Sequence, residues 1–142
     1  MKIAFGSDHG GYLYKKELIA FLKEKGYETI DCGTDSLDSC DYPDFAYAVA
    51  SLVADKKADR GIVVCTSGEG VAITANKVRG IRCGLCYNEE VSFLIRQHND
   101  CNMVAFSAKF FPLEEVKRWA MNFLTTEFEG GRHARRVDKI ER

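Results

Sequence analysis

The segment Gly61-Ile-Val-Val-Cys65-Thr66-Ser67-Gly68-Glu69-Gly70-Val71 carries a thiol at the end of an apolar run and then passes through a small-residue loop. Ile62, Val63 and Val64 read as a buried parallel strand, and a helix is expected to open near Val71. Gly68 and Gly70 let the backbone approach a ligand closely, and the helix start aims free N–H groups and the positive end of its dipole at the loop. A thiol held there should ionise more readily than a reference cysteine at about 8.5, so Cys65 is a candidate nucleophile or a candidate base.

A second polar loop, Gly6-Ser7-Asp8-His9-Gly10-Gly11, puts a carboxylate and an imidazole at the end of the strand Ile3-Ala4-Phe5. In open α/β sheets ligands bind outside the carboxyl ends of strands, so these two loops together suggest an acid/base pocket. The plainer readings are a helix N-cap for Asp8 and an exposed loop position for His9. His98-Asn99-Asp100 follows a helix, where a cap or a surface patch would be ordinary. Arg132 and Arg136 stand four apart on a basic terminal helix, so two guanidinium groups can grip one phosphate from one helical face; a solvated tail is the alternative.

Several chemistries are not supported. No Lys-Ser/Thr pair follows Gly70, and Ile73 stands where a dinucleotide fingerprint needs its last glycine. No H-E-x-x-H and no tight His/Cys ligand cluster calls for a metal. Cys83-Gly84-Leu85-Cys86 has redox or zinc spacing, but in a strand residues three apart point to opposite faces, so small core residues are the better reading.

Behind these loops the chain alternates strand and helix: strands at Ile3–Phe5, Tyr27–Cys32, Arg60–Cys65, Ile81–Cys86 and Met103–Phe106. Helices are expected from the Tyr14, Leu18, Leu22 stripe, from Tyr42-Pro43-Asp44 onward, over Val71–Val78, over Glu89–Gln97, from Pro112 onward, and as a short basic helix over about 131–142. The fold class is therefore α/β, a single Rossmann-like domain over 1–142 whose five-stranded parallel sheet carries helices on both faces. With 142 residues there is room for one core, and a net charge of −1 gives no reason to expect nucleic acid or an anionic membrane as partner. The first residues enter a strand without a signal-peptide pattern, and six scattered cysteines read as reduced thiols, so a cytoplasmic location is expected.

Five segments in order, Ile3 to Gly11, Asp41-Tyr42-Pro43, Cys65 to Lys77, Arg96 to Asp100 and Glu129 to His133, resemble the type B ribose-5-phosphate isomerases and their relatives, the family shared with galactose-6-phosphate isomerase subunits. The resemblance covers nearly the whole chain. It implies a homodimer or dimer of dimers with active sites shared across the interface, and an aldose–ketose isomerisation of a sugar phosphate through an enediolate, without metal or cofactor. It implies Cys65 as the base between C1 and C2, in contrast to a subset that has a glutamate at the position of Val71. It further implies His98 as the ring-opening acid, Asp8 and Tyr42 on the sugar hydroxyls, and Asn99 on another hydroxyl. N–H groups of Thr66, Ser67, Gly68, Glu69 and Gly70 would hold the enediolate oxygen, with the Ser67 hydroxyl added; Arg132 and Arg136 would hold the phosphate, with His9 nearby and Lys109 as a further contact. Two departures are visible: many relatives have threonine at Ser67 and arginine at Lys109, and a lysine keeps the charge but loses the planar fork.

Ribose 5-phosphate is the substrate that this resemblance implies; a six-carbon aldose phosphate such as allose 6-phosphate is the first alternative. A non-catalytic sugar-phosphate-binding module and a thiol redox protein built on Cys83 and Cys86 are the readings from other classes.

Overall fold

Parallel strands need right-handed crossovers, and that rule alone distributes the helices of this chain. A computed structural model describes residues 1–142. Its strands are β1 (Lys2–Ser7), β2 (Glu28–Asp31), β3 (Arg60–Cys65), β4 (Cys83–Leu85) and β5 (Met103–Ser107), and its helices α1 (Tyr12–Glu24), α2 (Tyr42–Ala54), α3 (Glu69–Asn76), α4 (Glu89–Gln97), α5 (Leu113–Thr125) and α6 (Arg132–Ile140). All pairings are parallel, in the order β2-β1-β3-β5-β4. The steps β1→β2 and β4→β5 run one way along the sheet, so α1 and α4 cover one face; β2→β3 and β3→β4 run the other way, so α2 and α3 cover the opposite face.

Two cores result. Ile3, Phe5, Ile62, Val64, Val104 and Phe106 face α1, α4 and α5, which contribute Leu18, Leu22, Ile95 and Phe123. Ala4, Val63, Met103 and Ala105 face α2 and α3, whose Val49, Ala50, Val71 and Ala75 complete the second layer. Each fully buried leucine or phenylalanine contributes about 2 kcal/mol by leaving water.

The expected fold class holds, and the corrections are local. β4 is shorter than the expected Ile81–Cys86. α3 opens at Glu69 rather than near Val71, because Gly68 at φ +81 turns the chain into the helix two residues sooner. Pro112 caps α5 from outside at ψ 144 instead of occupying its first turn. Cys83 and Cys86 lie in different cores, as strand alternation requires, and burial pushes both thiols up, that of Cys86 to about 12. A dithiol redox pair built on them has no support in this geometry.

Candidate active site

The crossovers leave β1 and β3 side by side with helices departing to opposite faces, which opens a crevice at their carboxyl ends. Asp8 and Cys65 both sit there, each buried. Asp8 Oδ1 accepts the Gly11 N–H at 3.1 Å and so closes the turn before α1, but the residue at the N-cap is Gly11, so Asp8 is not the helix cap that its sequence position suggested, and its other oxygen makes no hydrogen bond within the chain. The loops touch closely: a Cβ on Gly10 would stand 2.5 Å from Thr66 Oγ1 and 3.3 Å from Asp8 Oδ1, and one on Gly70 would stand 2.5 Å from the Tyr42 ring. Tyr42, the first residue of α2, thus packs against the start of α3 on the face of the sheet that the two helices share.

His9 is oriented by Cys40, a residue that no sequence pattern singles out. Its Nδ1 accepts the Cys40 N–H at 3.3 Å, and since a backbone amide can only donate, the proton of the neutral ring lies on Nε2. His9 therefore offers a donor to an anion. Ser107 is a second such residue: its hydroxyl donates to the Thr66 carbonyl at 2.6 Å and accepts from Lys109 and Phe110 N–H, while Lys109 N–H donates to Thr66 O at 3.2 Å. Lys109 is thereby tied to the Cys65 loop.

The loop itself divides its donors. Gly68 N–H donates to Cys65 Sγ at 3.2 Å, and Glu69 N–H to Ser67 Oγ at 3.1 Å. Of the expected Thr66-to-Gly70 set, those two are committed, and Thr66, Ser67 and Gly70, joined by Val71, keep N–H groups with no acceptor in the chain. Unpaired N–H groups in the loop that follows the sulfur are the kind of donor that a developing oxyanion needs. Gly68→Ala is expected to cost about 1–3 kcal/mol of stability, from a positive φ and a Cβ only 3.0 Å from the Phe106 carbonyl carbon, with at least a tenfold loss of turnover. Thermal melting and a rate assay check both.

A cleft of about 500 Å³ flanks the loop on the β5–β4 side, lined by Leu85, Tyr87, Phe110 and Phe111. Of the candidate residues only Ser67 and Glu69 reach it, whereas Asp8, Cys65 and Tyr42 lie at the β1–β3 crevice, which is the chemically equipped site.

His98, Asn99, Arg132 and Arg136 are elsewhere. His98 caps the carboxyl end of α4, which runs antiparallel to the strands, and the turn after it feeds the amino end of β5. Asn102, just before β5, accepts Gly61 N–H at the start of β3, whereas Cys65 at the end of β3 pairs with Ser107. The length of β3 between these levels is about 13 Å. The His98 turn is rigid: Arg82 donates to the Asn99 and Asp100 carbonyls at 3.0 and 2.8 Å, and buried Arg96 donates to Asp100 Oδ1 at 2.7 Å and Cys101 O at 2.8 Å. Arg132 and Arg136, both exposed, lie on α6 beneath this end.

The ligand atoms of His98, Glu129 and His133 come within 4.8 Å of one another, which raises a metal site as a question. The two imidazoles stack at 4.2 Å with only 11° between their planes. Nearly parallel planes do not meet at a point where one metal could lie along both nitrogen lone pairs, so this arrangement is not a coordination site.

The chain is similar over nearly its whole length to proteins of one family. The family model described as Ribose/Galactose Isomerase matches residues 3–140. Ribose-5-phosphate isomerase B of Escherichia coli K12 is 45% identical over 139 residues, covering 98% of this chain and 93% of that protein. The structure of Clostridium thermocellum ribose-5-phosphate isomerase B superposes with a TM-score of 0.98 at 48% identity, over 99% of this chain and 95% of the other. That of the Mycoplasma genitalium enzyme with bound ribulose-5-phosphate gives 0.96 at 40% identity, over 99% and 93%. A thiol crevice, an anion-ready loop and a match spanning nearly every residue lead to one assignment: the chain belongs to the ribose/galactose isomerase family.

Proposed function

We propose that the protein interconverts ribose 5-phosphate and ribulose 5-phosphate, with each active site built from two copies of the chain. The observation that carries the reaction is Cys65 Sγ, buried at the end of β3 ahead of a loop with free N–H groups, with Asp8 buried just after the neighbouring strand β1. The likeness to proteins named for this reaction, one of them holding ribulose-5-phosphate, fixes the choice of substrate to test.

In the reaction, His98 gives a proton to the ring oxygen of the closed sugar while the anomeric hydroxyl, held by Asp8 and Tyr42, gives its own to the Asp8 carboxylate, and the aldehyde forms. Cys65 as thiolate removes the C2 proton; charge gathers on O1, where the N–H groups of Thr66, Ser67, Gly70 and Val71 and the Ser67 hydroxyl donate to it. The thiol then returns the proton to C1 while the proton of the C2 hydroxyl passes to O1 through the Ser67 hydroxyl, and the ketose results. Asn99 holds a hydroxyl, and Arg132, Arg136, Lys109 and the Nε2–H of His9 surround the phosphate.

Two copies are needed because proton transfer works over about 3 Å, and in one chain Cys65 and His98 are separated by the length of the sheet. α3 supplies a surface of the right shape. Its eight residues span about 12 Å, close to the separation of the two ends, and Ile73 at its middle is 59% exposed. The far end of α6 reaches the turn after α3, through residues 76–82. An antiparallel contact between two copies of α3 sets the Cys65 end of one against the His98 and α6 end of the other, twice by symmetry.

This reading also places the protein in the cytoplasm, where its six free thiols stay reduced. No helix is long and apolar enough to cross a membrane. The test is ketose formation from ribose 5-phosphate by the purified protein against a buffer blank; absence of product at high protein concentration sinks the reading.

A further inference from the structure

His133 lies among the residues of the terminal motif, yet the reaction as described gives it no task. It is 6% exposed, and its Nε2 has no hydrogen-bond partner, with Glu129 Oε1 3.5 Å away but not aligned for a bond. Its ring lies face to face on His98. The backbone on either side is fastened to the same place: Glu129 N–H donates to Gln97 O at 3.1 Å, and His133 N–H to Gly130 O at 3.0 Å, across a turn in which Gly130 and Gly131 take φ of 68° and 57°. An aromatic ring is thus carried under the α4 cap by a built turn, at a cost in buried, unpaired nitrogen.

We propose that His133, backed by Glu129, is a positioning residue for the ring-opening step: its stacked face fixes the plane in which His98 presents its N–H to the ring oxygen of the substrate. The inference rests on the reading of His98 given above. Contact over a whole ring face removes rotation about the outer torsion of His98, a half-buried cap residue with no hydrogen bond from its ring to hold it. The groups facing His133 also fit a neutral platform. Burial pushes its pKa down, His98, Arg132 and Arg136 push in the same direction, and Glu129 opposes them. A neutral ring beneath His98 stacks against it without charge repulsion when His98 carries the proton that it must deliver.

The stack serves ring opening and not enolisation, and this separates it from a general structural role. Ribulose 5-phosphate has no free C5 hydroxyl and cannot close a furanose ring, so exchange of its C1 hydrogen with solvent deuterium needs Cys65 but no ring step. His133→Ala, with fold and assembly verified by circular dichroism and sedimentation, is expected to lower conversion of ribose 5-phosphate about tenfold while C1 exchange, followed by NMR, stays within twofold of the parent. His133→Phe, which keeps a flat ring and removes the nitrogens, is expected to recover most of the lost conversion. Parallel loss of exchange and conversion in a folded His133→Ala, undiminished conversion, or a His133→Phe as poor as the alanine variant would each overturn the proposal. A parent that exchanges C1 but shows no dependence on His98 overturns the reading beneath it, and this inference with it.

Discussion

Cys65→Ala is expected to lower kcat for ribose 5-phosphate by about 10³- to 10⁴-fold, the upper range for removal of a positioned acid–base group. The size follows from the problem that the thiolate solves. A proton beside a carbonyl is a weak acid, the oxyanion donors stabilise charge only once that proton has begun to leave, and Asp8, the other buried titratable side chain of the crevice, has one carboxylate oxygen committed to the Gly11 N–H. The alanine is smaller than the thiol and sits in a packed layer with Val63 and Val71, so the fold should survive with a modest loss of stability. Phosphate affinity, read by calorimetry, should remain near that of the parent, since the anion contacts lie elsewhere. Cys65→Ser serves as a control: it restores the volume but not the basicity, and should be almost as slow. A folded alanine variant with more than a tenth of parental kcat would place the base on another residue.

The second large effect is expected from Arg132→Ala/Arg136→Ala. Both guanidinium groups are exposed on α6, stand one helical turn apart, and have no acidic partner within salt-bridge distance, so their charges are available to a phosphate. Hydrogen bonds to a charged group contribute about 1.5–3 kcal/mol each, and loss of two amounts to at least about 3 kcal/mol, or about two orders of magnitude in kcat/KM. The loss should fall mainly on KM, because the phosphate is held alike in ground and transition states. Neither arginine carries a core contact, so the melting temperature should be nearly unchanged. An unaltered KM in the double variant would remove α6 from the site.

The elements of this fold were legible because their apolar periods are unambiguous: β3 is a continuous aliphatic run, and α5 repeats Val116, Trp119, Ala120 and Phe123 at helical spacing. Their ends were less so. The start of α3 depends on the left-handed turn at Gly68, and the shortness of β4 on how far it pairs with β5, neither of which has a local signal. Within the site, Asp8, Cys65 and the glycine loop follow from the rule that loops at carboxyl strand ends bind ligands. The same rule could have shown the division of the site. His98 stands after a helix and before a strand, so in any parallel βα unit it belongs to the amino end, opposite Cys65. What no pattern announces is contact between distant segments: the Cys40 amide on His9, the Ser107 hydroxyl on Thr66, and the His133 ring on His98 join residues 31, 41 and 35 positions apart, through packing alone.

The central claim is that Cys65 of one subunit works with His98 of another, and subunit complementation tests it most directly. Cys65→Ala and His98→Ala proteins, each nearly inactive alone, are mixed in equal amounts, exchanged through a mild denaturant step and assayed with ribose 5-phosphate. Random reassociation makes half the dimers mixed, and each mixed dimer holds one intact site out of two, so activity should rise to about a quarter of the parental value. Mixtures that exchange subunits, as mass spectrometry would show, yet stay as inactive as their components would contradict the shared site and require that both residues act within one chain.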